Sequence, residues 1–126
     1  MAKVLVVEDD RFLSSAYRAK LTKSGYELQM AGDGEEALEV LKTFVPDIIL
    51  LDLVMPRRDG FSTLGAIRQQ EALKSIPVIV TSNLGQKEDM DKAMGLGATD
   101  FIIKSDLSLD ELVSRIEQTL ANVKSA

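Results

Sequence analysis

The sequence contains no cysteine, no histidine and no tryptophan. Without cysteine the chain has no disulfide framework, no thiolate nucleophile and no cysteine-based metal site. Without histidine it has no Ser-His-Asp triad, no imidazole-ligated metal and no phosphohistidine of its own. Any chemistry at this chain must therefore rest on carboxylates, hydroxyls and ammonium groups.

Long apolar runs and basic patches are also missing. No stretch approaches the ~20 apolar residues of a membrane span, and the apolar run at residues 4–7 is too short for a signal peptide. The net charge is −5, whereas nucleic-acid binding needs positive charge that neutralises phosphates. We therefore expect a cytoplasmic protein with no membrane insertion and no direct contact with nucleic acid.

Short β-branched, apolar runs alternate with segments of helical periodicity. The runs lie at residues 4–7, 47–51, 77–80 and 101–103, with a weaker one at 26–30. Runs that are apolar on consecutive residues are typical of parallel strands covered on both faces. Five strand–helix units in a row predict one α/β domain over residues 1–126, with right-handed crossovers and helices on both faces of a parallel sheet.

Local signals predict several helix boundaries. Asp33 is expected to cap a helix over residues 35–44 ahead of Pro46, and residues 108–111 read as a capping box at the start of the last helix. In the first helix Phe12, with Ser15 and Arg18, is a candidate for docking a partner if exposed. Its apolar spacing instead favours a place for Phe12 in the core.

Polar side chains gather where the predicted strands end. The residues in question are Glu8, Asp9 and Asp10 after the first strand, Asp52 at the end of the third, Thr81 and Ser82 after the fourth, and Lys104 after the fifth. Each alone has an ordinary explanation, since an Asp or Thr there is often a helix cap and a lysine is often solvated. Their coincidence at one edge favours a site, because ligands bind outside the carboxyl ends of such strands.

The chemistry of this edge suggests phosphoryl transfer. Neighbouring carboxylates repel, and a divalent cation relieves that repulsion. Oxygen-only ligands suit Mg²⁺, with Mn²⁺ or Ca²⁺ as substitutes. Asp52 is a competent phosphoryl acceptor, while Thr81 and Lys104 are placed to bind the phosphoryl oxygens.

Four segments carry a resemblance to a known family. They are VLVVEDD at 4–10, DIILLDLVMPRRDG at 47–60, PVIVTSN at 77–83 and GATDFIIK at 97–104. Through them the whole chain resembles the receiver domain of two-component response regulators. The resemblance implies a flavodoxin-like (βα)5 three-layer sandwich with a parallel five-stranded sheet of order 2-1-3-4-5.

The resemblance also implies roles for individual residues. Asp52 is similar to the phosphoacceptor. The metal ligands would be Glu8, Asp9, Asp52 and the backbone carbonyl of Val54, and the switch pair would be Thr81 and Phe101, with Lys104 on the phosphoryl group. The donor would be a sensor histidine kinase or a phosphotransfer protein. The output would pass through the fourth helix, fifth strand and fifth helix to an unknown downstream protein, and the chain would catalyse only its own phosphorylation and dephosphorylation.

One departure and several alternatives remain open. Ser105 stands where the family usually has a proline joined by a cis peptide, and cis costs ~3 kcal/mol before a non-proline residue, so this peptide is expected to be trans or strained. A pseudo-receiver that binds partners without phosphorylation is one alternative. The domain is expected to be either stand-alone or cut from a longer regulator. Val54, in place of a second Asp, disfavours a phosphoaspartate hydrolase, and the absence of Trp and of a phosphate loop disfavours a flavin carrier.

Overall fold

The alternation of strands and helices is confirmed. The computed structural model describes residues 2–53, 59–83, 87–106 and 108–125, and side chains up to residue 123. The elements are β1 (Lys3–Val7), α1 (Arg11–Lys23), β2 (Glu27–Ala31), α2 (Gly34–Val40), β3 (Ile48–Asp52), α3 (Gly60–Gln69), β4 (Val78–Ser82), α4 (Lys87–Gly95), β5 (Asp100–Ile103), a 3₁₀ turn (Lys104–Asp106) and α5 (Leu109–Ser125). None of these helices is both long and apolar enough to cross a bilayer.

The sheet has the order expected for a flavodoxin-like fold. Its five strands run β2-β1-β3-β4-β5, and each neighbouring pair is parallel. Successive side chains of a strand point to opposite faces. Leu5 and Ile49 accordingly join a core cluster with residues of α2, α3 and α4, whereas Val4 and Ile48 join a second cluster with residues of α1 and α5. The result is a three-layer sandwich with helices on both faces.

Side-chain caps begin most of the described helices, including the predicted cap at Asp33. The carboxylates of Asp10, Asp33 and Asp59 accept backbone N–H groups in the first turns of α1, α2 and α3. The predicted capping box at α5 is confirmed, because the Glu111 amide donates to Ser108 Oγ and the Ser108 amide donates to Glu111 Oε1, both at 3.2 Å. These caps satisfy N–H groups that a helix leaves without partners.

The second helix is shorter than its periodicity suggested. It ends at Val40 rather than at residue 44. Beyond it the amides of Lys42 and Thr43 donate to carbonyl oxygens three residues earlier, both at 3.1 Å, so the chain tightens into turns. Pro46 then restricts the backbone before it and prevents the helix from continuing.

The expectation that Phe12 belongs to the core is wrong. Its side chain is 84% exposed. The inner face of α1 is instead formed at intervals of four residues by Leu13, Tyr17 and Leu21, which pack against the sheet with α5. Phe12 lies beside this stripe and faces solvent, together with Ser15 and Arg18.

Candidate functional site

The carboxyl ends of the three central strands carry the predicted polar residues. Glu8 follows β1 directly, while Asp52 is the last residue of β3 and pairs in register with Thr81 of β4. Thr81 and Asp52 are therefore strand residues rather than residues of the loops that follow. All three residues are buried, each with 3% of its surface exposed, so the sheet itself fixes their positions.

Three carboxylates converge at this edge. One oxygen each from Glu8, Asp9 and Asp52 lies within 4.8 Å of the others. Glu8 and Asp52 are buried and Asp9 is exposed, so a cation between them would face solvent on one side and keep waters. These oxygen ligands fit Mg²⁺ by their chemistry and spacing. Val54, whose carbonyl the sequence suggested as a further ligand, lies outside the described residues.

Lys104 reaches into the same cleft. Its Nζ lies 2.6 Å from Glu8 Oε1 and 3.2 Å from Asp52 Oδ1, with only 9% of the side chain exposed. The described residues contain no cis peptide, so the bond between Lys104 and Ser105 is trans. The chain turns into a short 3₁₀ segment there, and with Ser105 in a trans peptide the Lys104 ammonium still reaches Asp52.

Burial controls the charge of this cleft. Burial raises the pKa of Asp52 to about 7, with a further contribution from the charge of Glu8, while Lys104 opposes the rise. Burial by itself lowers the pKa of Lys104, but its ionic hydrogen bond to Glu8 and the charge of Asp52 outweigh this and raise it overall. Near neutral pH, therefore, Asp52 holds a proton for part of the time, and a bound cation would favour its ionised form.

The two residues of the predicted switch lie on opposite faces of the sheet. Thr81 is paired with Ile102, which belongs to the cluster under α1 and α5. Phe101 is paired with Val80, is half-buried and packs against the other cluster, under α2, α3 and α4. The structure thus places Thr81 beside Asp52, on the face of the sheet that α1 and α5 cover, and leaves Phe101 on the opposite face, one residue away along the adjacent strand.

Sequence reasoning missed one residue beside the cleft. Tyr17 of α1 is 6% exposed, and burial raises its pKa, with the charge of Glu8 as the next cause. Its position was readable as the middle member of the Leu13, Tyr17, Leu21 stripe, but tyrosine is not a usual signal for a core position. Asn83 also lines the acidic cleft, whose volume is about 380 Å³.

Doubly wound topology and an acidic cleft at the carboxyl edge define a class of α/β domain, and comparison with known proteins identifies its family. Residues 4–117 match the response regulator receiver domain, so the chain belongs to the response regulator receiver domain family.

Individual relatives agree with this assignment. The DNA-binding dual master transcriptional regulator RpaA of Synechocystis is 32% identical over 120 residues, which cover 95% of this chain and 49% of that protein. The chain spans about half the length of the first curated relatives it matches. The chemotaxis protein CheY4 of Vibrio cholerae superimposes with a TM-score of 0.88 at 30% identity, covering 94% of this chain and 98% of that one. The Mn²⁺-bound form of the response regulator Rcp1 gives 0.82 at 30% identity, covering 93% and 92%.

Proposed function

We propose that Asp52 accepts a phosphoryl group from a phosphohistidine on a sensor histidine kinase or phosphotransfer protein, in a reaction that needs Mg²⁺. The observation that carries this proposal is the convergence of three carboxylates with the ammonium of Lys104. Glu8, Asp9 and Asp52 offer oxygens within 4.8 Å of one another, and Lys104 Nζ lies 3.2 Å from Asp52. The Mn²⁺ bound by the related Rcp1 supports a divalent cation here.

The proposed step is an in-line displacement at phosphorus. An ionised oxygen of Asp52 forms the new O–P bond, and the N–P bond to the donor's imidazole breaks as that nitrogen recovers its electron pair. Mg²⁺ held by Glu8, Asp9, Asp52 and the Val54 carbonyl would neutralise charge on the transferred oxygens. Lys104 leaves Glu8 and pairs with a phosphoryl oxygen, and the Thr81 hydroxyl donates a hydrogen bond to another.

In this proposal, a displacement of Thr81 transmits phosphorylation from Asp52 to the surface of the domain. Thr81 and Phe101 lie on adjacent strands, so a shift of the β4 end changes the packing available to Phe101 on β5. Phe101 borders the face formed by α4, β5 and α5, which we propose as the surface read by a downstream protein. The new charge on Asp52 thus shifts the equilibrium between two arrangements of Thr81 and Phe101.

Several further features belong to the same proposal. The domain catalyses its own phosphorylation and dephosphorylation rather than the turnover of a separate substrate. It acts in the cytoplasm, where ATP for the donor kinase is made. RpaA is a DNA-binding regulator about twice as long as this chain. The net charge of −5 argues against direct contact of this domain with nucleic acid, because binding to phosphates requires positive charge.

Labelling with acetyl phosphate and Mg²⁺ tests the assignment. Intact-mass measurement should show one added phosphoryl group on the wild type and none on Asp52→Asn. Asp91→Asn, on the exposed surface of α4, is the matched control and should label like the wild type. Unchanged labelling of Asp52→Asn would overturn the proposal.

Beryllofluoride with Mg²⁺ separates this proposal from the pseudo-receiver alternative. As a phosphoryl mimic it should shift the amide resonances of Thr81 and Phe101 in the wild type. A spectrum unchanged by the mimic would favour a module that binds its partner without phosphorylation.

A further inference from the structure

A second cavity adjoins the acidic cleft, between α1 and α5. Its volume is about 280 Å³, and Leu13 and Lys104 line both spaces. Apolar side chains of α1, β5 and α5 make up much of its wall, among them Ala16, Ile102 and Leu112. Its polar wall contains Tyr17, Thr81, Lys104 and Ser108. The cavity is thus an apolar space that ends on two residues of the proposed phosphorylation site.

The buried hydroxyl of Tyr17 is the observation that indicates a ligand in this cavity. The residue is 6% exposed, and its hydroxyl has no hydrogen-bond partner among the residues that the structure describes. A buried tyrosine hydroxyl normally finds a partner, because leaving it unpaired costs free energy. An aliphatic residue would fill this position of α1 without that cost, so the hydroxyl indicates an acceptor in the cavity that Tyr17 lines.

The charges around the cavity define the kind of acceptor. Lys104 is already paired with Glu8 and Asp52 and offers no spare positive charge. An anionic ligand would therefore meet the field of these carboxylates without compensation. Burial and the charge of Glu8 keep the Tyr17 hydroxyl protonated, so it acts as a donor.

The size of the cavity defines the body of the ligand. A cavity of ~150 Å³ lined by apolar side chains holds benzene. The volume of about 280 Å³ is thus enough for one ring with a substituent. The apolar wall beside Ala16 and Leu112 suits such a ring.

We propose that this cavity binds a neutral small molecule with a single-ring apolar body and a carbonyl or hydroxyl oxygen that accepts a hydrogen bond from Tyr17. Binding itself does not depend on the phosphorylation proposal. A regulatory consequence does rest on it, because a ligand against Thr81 and Lys104 holds both in their unphosphorylated positions. Such a ligand should weaken the binding of a phosphoryl mimic, and the mimic should weaken the ligand by the same factor.

Binding is tested by amide NMR with acetophenone as the probe and benzoate as its anionic counterpart. Acetophenone should cause saturable shifts at Ala16, Ile102 and Leu112, and benzoate should bind at least about tenfold more weakly because of its charge. Tyr17→Phe keeps the ring and removes only the hydroxyl, so acetophenone affinity should fall by about fivefold. Equal affinities in Tyr17→Phe and the wild type, or equal binding of the two probes, would overturn the assignment.

A second pair of variants distinguishes loss of the binding site from a general loss of folded structure. Ala16→Leu places extra atoms inside the cavity and should abolish the acetophenone shifts. Ala19→Leu adds the same atoms on the exposed side of α1 and should leave them unchanged. No saturable shift in the wild type, or the same response in both variants, would contradict the proposed site.

The coupling is measured as beryllofluoride affinity with and without saturating acetophenone. We expect the affinity to fall at least about fivefold. Beryllofluoride binding without any acetophenone binding would reject the cavity and leave the proposed function standing. Acetophenone binding without any response to beryllofluoride would reject the proposed function and leave the cavity site standing. Binding of both compounds with no mutual effect would reject the coupling between the two sites.

Discussion

Lys104 Nζ lies closer to Glu8 Oε1, at 2.6 Å, than to Asp52 Oδ1, at 3.2 Å. The lysine that would stabilise the phosphoryl group is thus bound most closely to a proposed metal ligand. The same Glu8 carboxylate also accepts the backbone N–H of Asp10 at 3.2 Å, which holds it in place. A cation that binds Glu8 Oε1 therefore competes with this ammonium.

This competition makes a prediction for Lys104→Met. The substitution removes the ammonium and leaves Glu8, Asp9 and Asp52 in place, so Mg²⁺ should bind roughly three- to tenfold more tightly. Calorimetric titration with MgCl₂ measures the change. Lys74→Met, on an exposed lysine paired only with Glu71 among the described residues, is the control and should keep wild-type affinity. Weaker Mg²⁺ binding by Lys104→Met would show that the lysine organises the acids rather than competing for them.

A second prediction concerns pH and Asp52. Its folded-state pKa is raised from 3.8 to about 7, so the folded protein binds this proton more tightly than the unfolded chain does. The free energy of unfolding therefore loses a contribution as pH rises from about 4 through about 7. Asp52→Asn cannot ionise, and in EDTA at about pH 8 it should be more stable than the wild type by on the order of 2 kcal/mol.

Urea unfolding in EDTA at about pH 5 and about pH 8 measures this effect, and the gain of Asp52→Asn should be much smaller at the lower pH. Asp91→Asn on α4 serves as the control for loss of one exposed charge. An equal gain at both pH values would point to packing instead of ionisation. Saturating Mg²⁺ should reduce the gain at about pH 8, because only the wild-type carboxylate binds the cation.

The topology explains why most of the site was predictable from the sequence. Parallel strands bring their carboxyl ends to one edge, so Asp52 and Thr81 had to be neighbours once β3 and β4 were recognised. The pairing of Lys104 with Glu8 was not predictable, because it depends on which of several acids a flexible ammonium reaches. The trans peptide at Ser105 likewise depends on the local path of the chain.

The errors have equally specific causes. Phe12 is apolar and follows a helix cap, but the direction of its side chain depends on which stripe of α1 packs on the sheet. That stripe contains Tyr17, a residue whose hydroxyl argues against a core position when read from sequence alone. The early end of α2 at Val40 reflects a balance between helical and turn hydrogen bonds that periodicity does not measure.

Arg68 provides a third prediction, away from the site. Its guanidinium donates to the carbonyl oxygens of Ile76 at 2.7 Å and of Gly97 at 2.7 and 3.0 Å, joining the segment after α3 to the loop before β5. Gly97 has φ +103°, and a Cβ there would lie 2.9 Å from Arg68 Nε, so this loop requires glycine. A lysine ammonium cannot replace the planar fork that binds both carbonyls.

Arg68→Lys should therefore lower the free energy of unfolding by about 1–3 kcal/mol, measured by urea denaturation. The matched control is Arg18→Lys on the exposed face of α1, which should change it by less than about 0.5 kcal/mol. Equal stability of the two variants would show that water replaces the guanidinium at these carbonyls.

The fourth prediction concerns the support behind Asp52. Gly60 begins α3 and its amide donates to the carbonyl of Leu53 at 2.9 Å. A Cβ at Gly60 would lie 2.4 Å from the carbonyl oxygen of Asp52 and 2.6 Å from the Cα of Leu53, and both are backbone atoms with little freedom to move. Gly60→Ala must therefore displace either α3 or the end of β3 that carries Asp52.

Gly65, in the middle of the same helix, provides the control, because a Cβ there meets nothing within 4 Å. Gly65→Ala should stabilise the protein by roughly 0.5–1 kcal/mol through helix propensity, whereas Gly60→Ala should destabilise it by about 2 kcal/mol or more. Acetyl phosphate labelling of folded Gly60→Ala should also be slower than that of Gly65→Ala, since displacement of the β3 end moves Asp52 away from Lys104. Normal labelling with reduced stability would mean that the strain is absorbed by α3, and that β3 alone holds Asp52 in position.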